Sequence, residues 1–369
     1  MGLIDKIDAL EKEIATMPRN RTTYDKICQL KAKLSRMRAD HIKTLKCGTG
    51  ITTVDPLALP RISVVGMAKS GKTALFEQLS QGSPGAVGEF GYNNMKCPAK
   101  VIVRENARFR LTDLPALEPG CSMKEGVLRD AVEAARLSDM VIMVLDVENA
   151  EEQKAVLVKE LENVGLRFNT QKPQINIIEE RGGGVVIKTS TKLTKMEDKQ
   201  VKLVMGEFGI HSGYAMFKGD YSIEELIDAL EGTRKYLNCI FVYNKCDKVS
   251  MEEVTARAAQ PSSVVVSCEL GLGFTMLNEM LWDEMECVRI YLKEEGKKIE
   301  FKWPIVLGKG RGSTVEALLG IGGKKLKDEF SHAYVWGRSV KGAPVVVEEE
   351  HALMDEDVVM LVKRVKKKK

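Results

Sequence analysis

The chain has 369 residues, of which 44% are hydrophobic and 29% are charged, and its formal net charge is +4 at pH 7. This balance is typical of a soluble globular protein of two or three domains with a sizeable core. No stretch approaches the ~18 consecutive apolar residues of a membrane span, and no apolar signal segment follows Met1. The eight cysteines form no C-x-x-C pair, which favours free thiols in a reducing compartment and argues against a zinc site.

Two amphipathic helices are predicted within residues 3–46. Apolar residues recur every three or four positions, as along one face of a helix, and Pro18 interrupts the recurrence. We place this helical hairpin at 1–47 and expect its stripe to pack on the body of the protein, with contact to a partner or ribosome as the alternative. Residues 48–60 contain two glycines and two prolines and are expected to form a linker. The stripe consists of Leu3, Ile7, Leu10, Ile14, Met17, Ile27, Leu30, Leu34 and Met37.

The stretch that follows the linker is the most informative of the chain. An apolar run predicts a strand at Ile62–Val65, and a helix-compatible run begins at Lys72. Between them lies G-x-x-x-x-G-K-[ST], whose glycines let successive backbone N–H groups turn toward one anion beside the positive end of a helix. Lys72 would reach the β- and γ-phosphates of a nucleotide, and the Thr73 hydroxyl would ligate Mg²⁺. The predicted phosphate-binding residues are Gly66, Met67, Ala68, Lys69, Ser70, Gly71, Lys72, Thr73 and Ala74.

Strands and helices alternate from residue 61 to about 164, which is the pattern of a parallel α/β sheet. Asp113 ends one predicted strand, forty residues after Thr73, and a carboxylate there can bind Mg²⁺ through water, as in phosphoryl-transfer sites. Glu105-Asn106 is expected to join two strands in a hairpin. The predicted strands are Ile62–Val65, Lys100–Val103, Phe109–Leu114 and Met140–Val147, and the predicted helices are Lys72–Ser80, Glu125–Leu137 and Glu151–Val164.

Residues 165–236 interrupt this alternation and predict an inserted α+β subdomain. Its first strands are expected at Ile175–Ile178 and Val185–Ile187, joined as a β-hairpin by three consecutive glycines at 182–184. The helices expected after them are Asp198–Glu207 and Ile223–Glu231.

An N-K-x-D motif follows the apolar run Cys239–Tyr243, where the sheet resumes. The Asp247 carboxylate can accept hydrogen bonds from both N1–H and N2–H₂ of guanine, whereas adenine has no matching pair of donors. A buried carboxylate left unpaired is costly, so this residue would select guanine. Asn244 would brace the loop, and the Lys245 stem would lie over the base plane. A strand at Val264–Ser267 ends where a backbone N–H could meet guanine O6, which completes the predicted guanine-binding set of Asn244, Lys245, Asp247, Ser267, Cys268 and Glu269.

Residues 289–369 predict a small module of their own. A capping box at Ser313-x-x-Glu316 predicts a helix that extends to about Phe330, although three glycines inside it cost up to about 1 kcal/mol each relative to alanine. The closing run Lys366–Lys369 is expected to be a solvated tail, with weak contact to RNA phosphate as the alternative. The predicted strands are Arg289–Leu292, Ile305–Leu307, Ala333–Trp336 and Val358–Val362.

Together these motifs resemble the developmentally regulated GTP-binding proteins, a eukaryotic and archaeal branch of the Obg-type GTPases, and more closely the second of the two eukaryotic paralogues. The likeness covers nearly the whole chain. Besides the P-loop and the Lys-rich hairpin, it is carried by Val-Tyr-Asn-Lys-Cys-Asp at 242–247, Ser-Met-Glu-Glu-Val at 250–254, Ser-Val-Val-Val-Ser-Cys at 263–268 and Ala-Tyr-Val-Trp-Gly at 333–337.

The resemblance implies a P-loop GTPase fold in which residues 61–164 and 237–288 form a parallel-rich sheet, with 165–236 as the inserted subdomain. It identifies residues 289–369 as a TGS domain, a ubiquitin-like β-grasp module. It further implies a cytoplasmic protein that binds GTP, GDP and Mg²⁺, hydrolyses GTP slowly and acts in translation. The implied partners are the ribosome or its RNA and a zinc-finger-type regulatory protein, with no membrane or DNA partner.

Some residues depart from the family pattern in the segments that respond to the γ-phosphate. Asn93-Asn94 stands where relatives carry Thr-Thr in switch I, and that threonine senses Mg²⁺ and the γ-phosphate, so Asn93 or Asn94 is only a candidate metal ligand. Switch II has alanine in place of the sensing glycine and no catalytic glutamine. Its predicted residues are Asp113, Leu114, Pro115, Ala116 and Leu117.

Lys69 stands where relatives have a serine in the P-loop. Some Obg-type relatives bind a potassium ion near the transferring phosphate, and the Lys69 ammonium could substitute for it, so that potassium would be dispensable. The alternative is a lysine that points to solvent. The predicted catalytic groups are therefore Lys72, for transition-state charge, and Lys69 as a hypothesis.

The sequence thus predicts a GTP-binding protein with slow, Mg²⁺-dependent hydrolysis. The first alternative is a hydrolysis-impaired scaffold that binds guanine nucleotides with degenerate switches. The second is an RNA-binding module with a vestigial nucleotide site, and the presence of Lys72, Thr73, Asp113 and Asp247 argues against it.

Overall fold

The computed structural model describes residues 3–18, 20–44, 59–81, 87–92, 95–122, 126–180, 182–294, 296–299, 301–308, 312–342 and 344–363. The chain forms two compact units, one of Met1–Gly48 with Lys159–Tyr236 and the other of Thr49–Val158 with Leu237–Lys369. The finer domain limits given above stay predictions. Among the residues just named, no helix is long and apolar enough to cross a bilayer.

The helices and strands of the described residues alternate along most of the chain. The helices are α1 (Leu3–Thr16), α2 (Arg21–Thr44), α3 (Lys72–Ser80), α4 (Val127–Arg136), α5 (Ala150–Asn163), α6 (Asp198–Glu207), α7 (Ile223–Glu231), α8 (Met251–Ala258), α9 (Phe274–Met285), α10 (Val315–Ile321) and α11 (Lys324–Glu329). The strands are β1 (Arg61–Gly66), β2 (Val87–Tyr92), β3 (Met95–Arg104), β4 (Ala107–Asp113), β5 (Met140–Asp146), β6 (Leu166–Phe168), β7 (Ile175–Glu179), β8 (Val185–Thr189), β9 (Gly213–Phe217), β10 (Lys235–Asn244), β11 (Ser263–Val265), β12 (Val288–Leu292), β13 (Ile305–Leu307), β14 (Phe330–Trp336), β15 (Val345–Val347) and β16 (Asp357–Lys363).

The largest sheet has the predicted α/β architecture. Its strands run in the order β11-β10-β5-β1-β4-β3-β2, and the four pairs from β11 to β4 are all parallel. All seven residues of β5 are buried, as expected of a parallel strand covered on both faces. The carboxyl ends of β1, β4, β5, β10 and β11 therefore meet at one edge, where open α/β sheets bind their ligands.

The antiparallel side of this sheet is larger than the sequence predicted. The strand predicted at Lys100–Val103 begins at Met95 and pairs with β4 and with β2, which was not predicted. Glycines at 88 and 91 weaken the strand signal of β2. The predicted hairpin is confirmed: Glu105 and Asn106 join β3 to β4 with φ of +48° and +62°.

The C-terminal sheet has the order β13-β12-β16-β14-β15, in which only the β12–β16 pair is parallel. With its strands renumbered from one to five, this order is 2-1-5-3-4, and the helical segment lies between the second and third strands. That is the predicted β-grasp arrangement. Leu318 and Leu319 of α10 pack against β14 and β16 in the core of this module.

The single helix predicted from Ser313 to Phe330 is wrong. The cap is Thr314, whose hydroxyl accepts a hydrogen bond from Ala317 N–H, and α10 ends at Ile321. Gly323 has φ of +84° and separates α10 from α11, and Phe330 already belongs to β14. Glycine is the residue that adopts such a φ without strain, so the helix breaks at the glycine rather than continuing through it.

The β-hairpin predicted between Ile175–Ile178 and Val185–Ile187 is also wrong. These strands, β7 and β8, do not pair with each other, because β9 lies between them, antiparallel to β7 and parallel to β8. Glycines lie between β7 and β8, as predicted, but both strands pair with β9, which was not predicted. The helices predicted in this subdomain are present as α6 and α7.

The N-terminal helix α2 completes the core of the inserted subdomain. Cys28 and Ala32 are buried in a cluster with residues of α6, β9 and α7, among them Val204 and Leu226. Lys33 on the same helix is exposed. Ile27 and Leu34 of the predicted apolar stripe are buried as well, so the stripe of this helix packs within the protein, as predicted.

Candidate functional site

The P-loop joins β1 to α3 at the carboxyl edge of the main sheet. Gly66 ends β1, and a Cβ on it would lie 2.6 Å from Val144 O, a contact that backbone on the neighbouring strand cannot relieve. Lys69 and Gly71 then turn the loop with φ of +64° and +92°. These two left-handed residues fold the loop back on itself before α3 begins, which is the geometry that lets successive amides face one anion.

A single side-chain amide ties the P-loop to the guanine motif. Asn244 donates from Nδ2 to Ser70 O over 3.0 Å, and its Oδ1 accepts from Lys245 N at 2.8 Å and from Cys268 N at 3.2 Å. A Cβ on Gly71 would lie only 2.1 Å from Asn244 Nδ2. The structure thus brings together the three loops that the sequence predicted as one site.

Lys72 and Thr73 of the P-loop motif each form a polar contact near Asp113. Thr73 Oγ1 donates to Asp113 Oδ2 over 2.9 Å, and Lys72 Nζ donates to Met67 O over 3.0 Å. Burial lowers the pKa of the Lys72 ammonium, and the charge of Asp113 opposes that shift. Burial likewise raises the pKa of the Asp113 carboxyl, while Thr73 and Lys72 pull it down. Both charged groups are therefore held largely away from water.

The donor set at Asp113 fits Mg²⁺. Asp113 is only 8% exposed, and its Oδ1 is buried without a hydrogen-bond partner. A buried carboxylate oxygen left in this state is costly unless something charged or polar meets it. A carboxylate beside a threonine hydroxyl offers the hard oxygen ligands that Mg²⁺ prefers, and one or two protein ligands suffice when phosphates supply others. Thr73 and Asp113 would hold the ion.

The guanine motif presents its carboxylate at the loop surface. Asp247 is exposed, and Ser267 Oγ donates to its Oδ1 over 2.7 Å. That hydrogen bond is the main cause of the lowered pKa of Asp247, which keeps the carboxylate ionised and able to accept. The expectation of a buried carboxylate is therefore wrong for this structure, and only the bound base itself could bury Asp247 as the selection of guanine requires. Cys268 N–H is already engaged by Asn244.

Switch II follows β4 closely. Leu114 N–H donates to Val64 O over 3.2 Å, and Leu117 N–H donates to Gly66 O over 3.1 Å. Both side chains are buried, Leu117 at 1% exposure, and Pro115 and Ala116 are half-buried. The segment is held against the P-loop strand by its backbone. Asn93 and Asn94 of switch I lie outside the described residues.

Asp146 is a site residue that the sequence analysis missed. It ends β5 in register with Asn244 of β10, and its Oδ2 forms an ion pair with Lys245 Nζ. The signal was available, because Asp146 is an acidic residue that closes a wholly apolar run at the same sheet edge as the two predicted motifs.

Comparison with known proteins agrees with this geometry. A family model described as a 50S ribosome-binding GTPase matches residues 61–180, and one described as the C-terminal region of the MMR_HSR1 domain matches residues 182–287. Among solved structures, the G domain of the FeoB iron transporter of T. maritima covers 61% of this chain and 98% of that chain at 16% identity, with a TM-score of 0.34, too low to bear on the fold.

Curated relatives match over almost the full length. Developmentally-regulated GTP-binding protein 2 of Homo sapiens is 35% identical over 368 residues, which are 99% of this chain and 100% of that protein. Developmentally-regulated G-protein 2 of Arabidopsis thaliana is 34% identical over 99% of this chain and 92% of that protein. With its P-loop GTPase fold and its linked phosphate and guanine motifs, the chain belongs to the family of developmentally regulated GTP-binding proteins.

Proposed function

We propose that this GTP-binding protein hydrolyses GTP slowly, with Mg²⁺, and that it acts on ribosomes. The observation that carries the nucleotide part is the Asn244 amide, which fixes Ser70 O of the P-loop and Cys268 N of the last loop at once. Phosphate cradle and base pocket are thereby held at a set separation. This is the requirement for binding one nucleoside triphosphate rather than an unrelated anion.

In the proposed reaction, water attacks the γ-phosphate and GDP leaves. The amides of residues 66–73 would hold the phosphate chain, and the Lys72 ammonium would exchange its bond to Met67 O for phosphate oxygens as charge develops. When bound, Mg²⁺ supplies further neutralisation of the phosphate oxygens. We name no general base, because positioning and charge carry most of the catalysis in this reaction class.

The expectation of a low rate rests on Leu117. This residue follows Ala116, at the place where a catalytic glutamine would stand, and its side chain is apolar and 1% exposed. It cannot orient an attacking water by hydrogen bonding. Residues 113–117 otherwise offer only the Asp113 carboxylate, which belongs to the metal position.

The alternative function is a guanine-nucleotide-binding scaffold that does not hydrolyse GTP efficiently. The burial of Leu117 and the asparagines at 93–94 favour it. Scaffold and slow enzyme share the same binding site and differ only in turnover. We propose the enzyme because Thr73 is hydrogen-bonded to Asp113 and Lys72 lies close enough for the charge of Asp113 to act on it.

A multiple-turnover assay separates these two functions. We expect purified protein to release phosphate from GTP slowly, faster with ribosomes, and not at all after Lys72→Met. Lys33→Met, a change at an exposed lysine on α2, is the matched control and should leave the rate unaltered. A protein that binds GTP but releases no more phosphate than the Lys72→Met variant would be the scaffold instead.

We further propose a cytoplasmic setting and two kinds of partner, the ribosome or its RNA and a zinc-finger-type regulatory protein. The family resemblance supports both, and the C-terminal run of lysines would suit RNA phosphate. Co-sedimentation with ribosomes, measured at two salt concentrations, tests the first partner. Failure to co-sediment at low salt would remove the ribosome from the proposal while leaving nucleotide binding intact.

A further inference from the structure

The side chain of Lys245 does not extend into open solvent. Lys245 adopts a left-handed conformation, with φ of +67° and ψ of +40°, immediately after β10. Because Asn244 is in register with Asp146 on the neighbouring parallel strand, this turn carries the lysine back across the end of β5. Its ammonium forms an ion pair with Asp146 Oδ2, and the two side chains are 28% and 12% exposed.

Asp146 is fixed independently of that lysine. Its Oδ1 accepts from Glu148 N–H at 3.3 Å, which caps the short 3₁₀ turn Val147–Asn149, and its own N–H donates to Gln153 Oε1 over 2.9 Å. A carboxylate held by its own turn is a rigid anchor, whereas a free lysine has four rotatable bonds. The ion pair therefore restrains the Lys245 side chain against the ordered turn that follows β5.

We propose that Asp146 is a positioning residue for the guanine base, which it serves by holding the Lys245 ammonium so that the lysine stem forms a wall against one face of the ring. This rests on the proposed function, because it deepens the same nucleotide site. An unanchored lysine would have to lose its side-chain freedom on each binding event. Asp146 removes that cost beforehand, so it adds affinity for the base without touching it.

The proposal also separates two contributions to base recognition. Asp247 meets the donor edge of guanine and sets the choice between guanine and adenine. Asp146 holds the methylene stem of Lys245 against the plane of the ring, and that plane is alike in all purines. Loss of Asp146 should therefore lower the affinities for GDP and IDP by the same factor and leave the preference for GDP over ADP unaltered.

A double-mutant cycle on the full chain tests this, with binding read by displacement of a fluorescent GDP derivative. We expect Asp146→Asn, which keeps the acceptor for Glu148 N–H, to lower the affinity for GDP roughly tenfold through faster dissociation. In a Lys245→Met background, where the stem remains and the charge is gone, Asp146→Asn should cause no further loss. Asp355→Asn is the matched control, since it breaks an ion pair with Arg289 in the C-terminal module.

Two results would overturn the proposal. One is wild-type GDP affinity in Asp146→Asn. The other is an equal loss in the Lys245→Met background, which would mean that Asp146 holds its own turn and not the lysine. A native protein that binds no guanine nucleotide would instead refute the proposed function, so the two failures are distinguishable. Thermal unfolding of each variant confirms that it is folded.

Discussion

Asn244 is the residue of the candidate site that tolerates substitution least, because both polar atoms of its side chain form hydrogen bonds. Its amide nitrogen donates to the P-loop and its oxygen accepts from two N–H groups of the guanine loops. Aspartate in its place would lose the donor, and alanine would lose all three bonds. The N-K-x-D motif predicts a bracing role for Asn244, but it does not predict that the amide nitrogen of Asn244 bonds to the P-loop itself.

Asp247 gives the first prediction. In Asp247→Asn one carboxylate oxygen becomes an NH₂ group that faces a guanine donor, so GTP affinity should fall by roughly a hundredfold. Xanthosine nucleotides, which present an oxygen at that place, should bind relatively better. Competition against labelled GDP measures both. ATP that displaces GDP from the native protein as well as GTP does would refute the assignment of Asp247 to base selection.

Lys69 gives the second prediction, on the proposal that its ammonium replaces a potassium ion. Lys69 is exposed and left-handed, at the turn of the P-loop. GTP hydrolysis should then be equal in potassium and sodium for the native protein. Lys69→Ser should slow it, with partial recovery in potassium only. Potassium stimulation of the native protein, or an unaltered rate in Lys69→Ser, would make Lys69 an ordinary surface residue.

At the scale of elements, strands with a clear apolar pattern and the hairpin at Glu105-Asn106 were predictable, whereas pairings between strands distant in sequence were not. The strand at Met140–Val147 was predictable because an almost continuous apolar run is typical of a buried parallel strand, and Met140–Asp146 is buried throughout as β5. The pairing of β7 and β8 failed because local glycines favour a hairpin, while β9 lies some thirty residues later. Gly323 broke a predicted helix because its φ, not its propensity, decides the backbone there.

The motif spacing predicted which loops form the candidate site, and the structure brings those loops together. It did not predict that Asp247 is exposed, that Cys268 N–H is bonded to Asn244 or that Asp146 lies at the site, and the place of Asp146 depends on strand order. Only when β5 and β10 are known to be parallel neighbours does Asp146 come to lie beside Lys245. The sequence places Asp146 at the end of an apolar run, but which motif lies beside it follows only from the strand order.

The switch I segment gives the third prediction. An asparagine amide oxygen can ligate Mg²⁺ but is bulkier than a threonine hydroxyl, and Mg²⁺ demands strict octahedral geometry. We therefore expect GDP and a non-hydrolysable GTP analogue to bind with similar affinity. Titration calorimetry at one Mg²⁺ concentration compares them. A hundredfold preference for the analogue, about 2.7 kcal/mol, would mean that the switch still senses the γ-phosphate.

At the scale of the whole molecule, each compact unit draws on distant parts of the sequence. The unit that contains the inserted subdomain buries Ala32 of α2 completely, in a cluster with α6 and α7. The other unit holds the nucleotide site and the C-terminal module. The subdomain is therefore an insertion in the chain but shares its core with the N-terminus.

The fourth prediction follows from that shared core. Ala32→Asp places an unpaired carboxylate in a buried apolar cluster and should destabilise its unit by about 3 kcal/mol or more. Lys33→Asp, one residue on and exposed, should change stability by less than about 0.5 kcal/mol. Hydrogen exchange should show the loss in α2, α6 and α7. Equal protection in the two variants would mean that α2 does not belong to this core.

The burial of α2 also has a consequence for the order of synthesis. Ala32 leaves the ribosome early, but the helices that cover it, Asp198–Glu207 and Ile223–Glu231, follow more than 160 positions later. At about 5–20 residues per second this interval is roughly 8–40 s. During it the apolar stripe of α2 is exposed on a nascent chain whose nucleotide-binding half is still being completed. Newly made protein should therefore depend on a chaperone that holds residues 21–44 until the inserted subdomain has been translated.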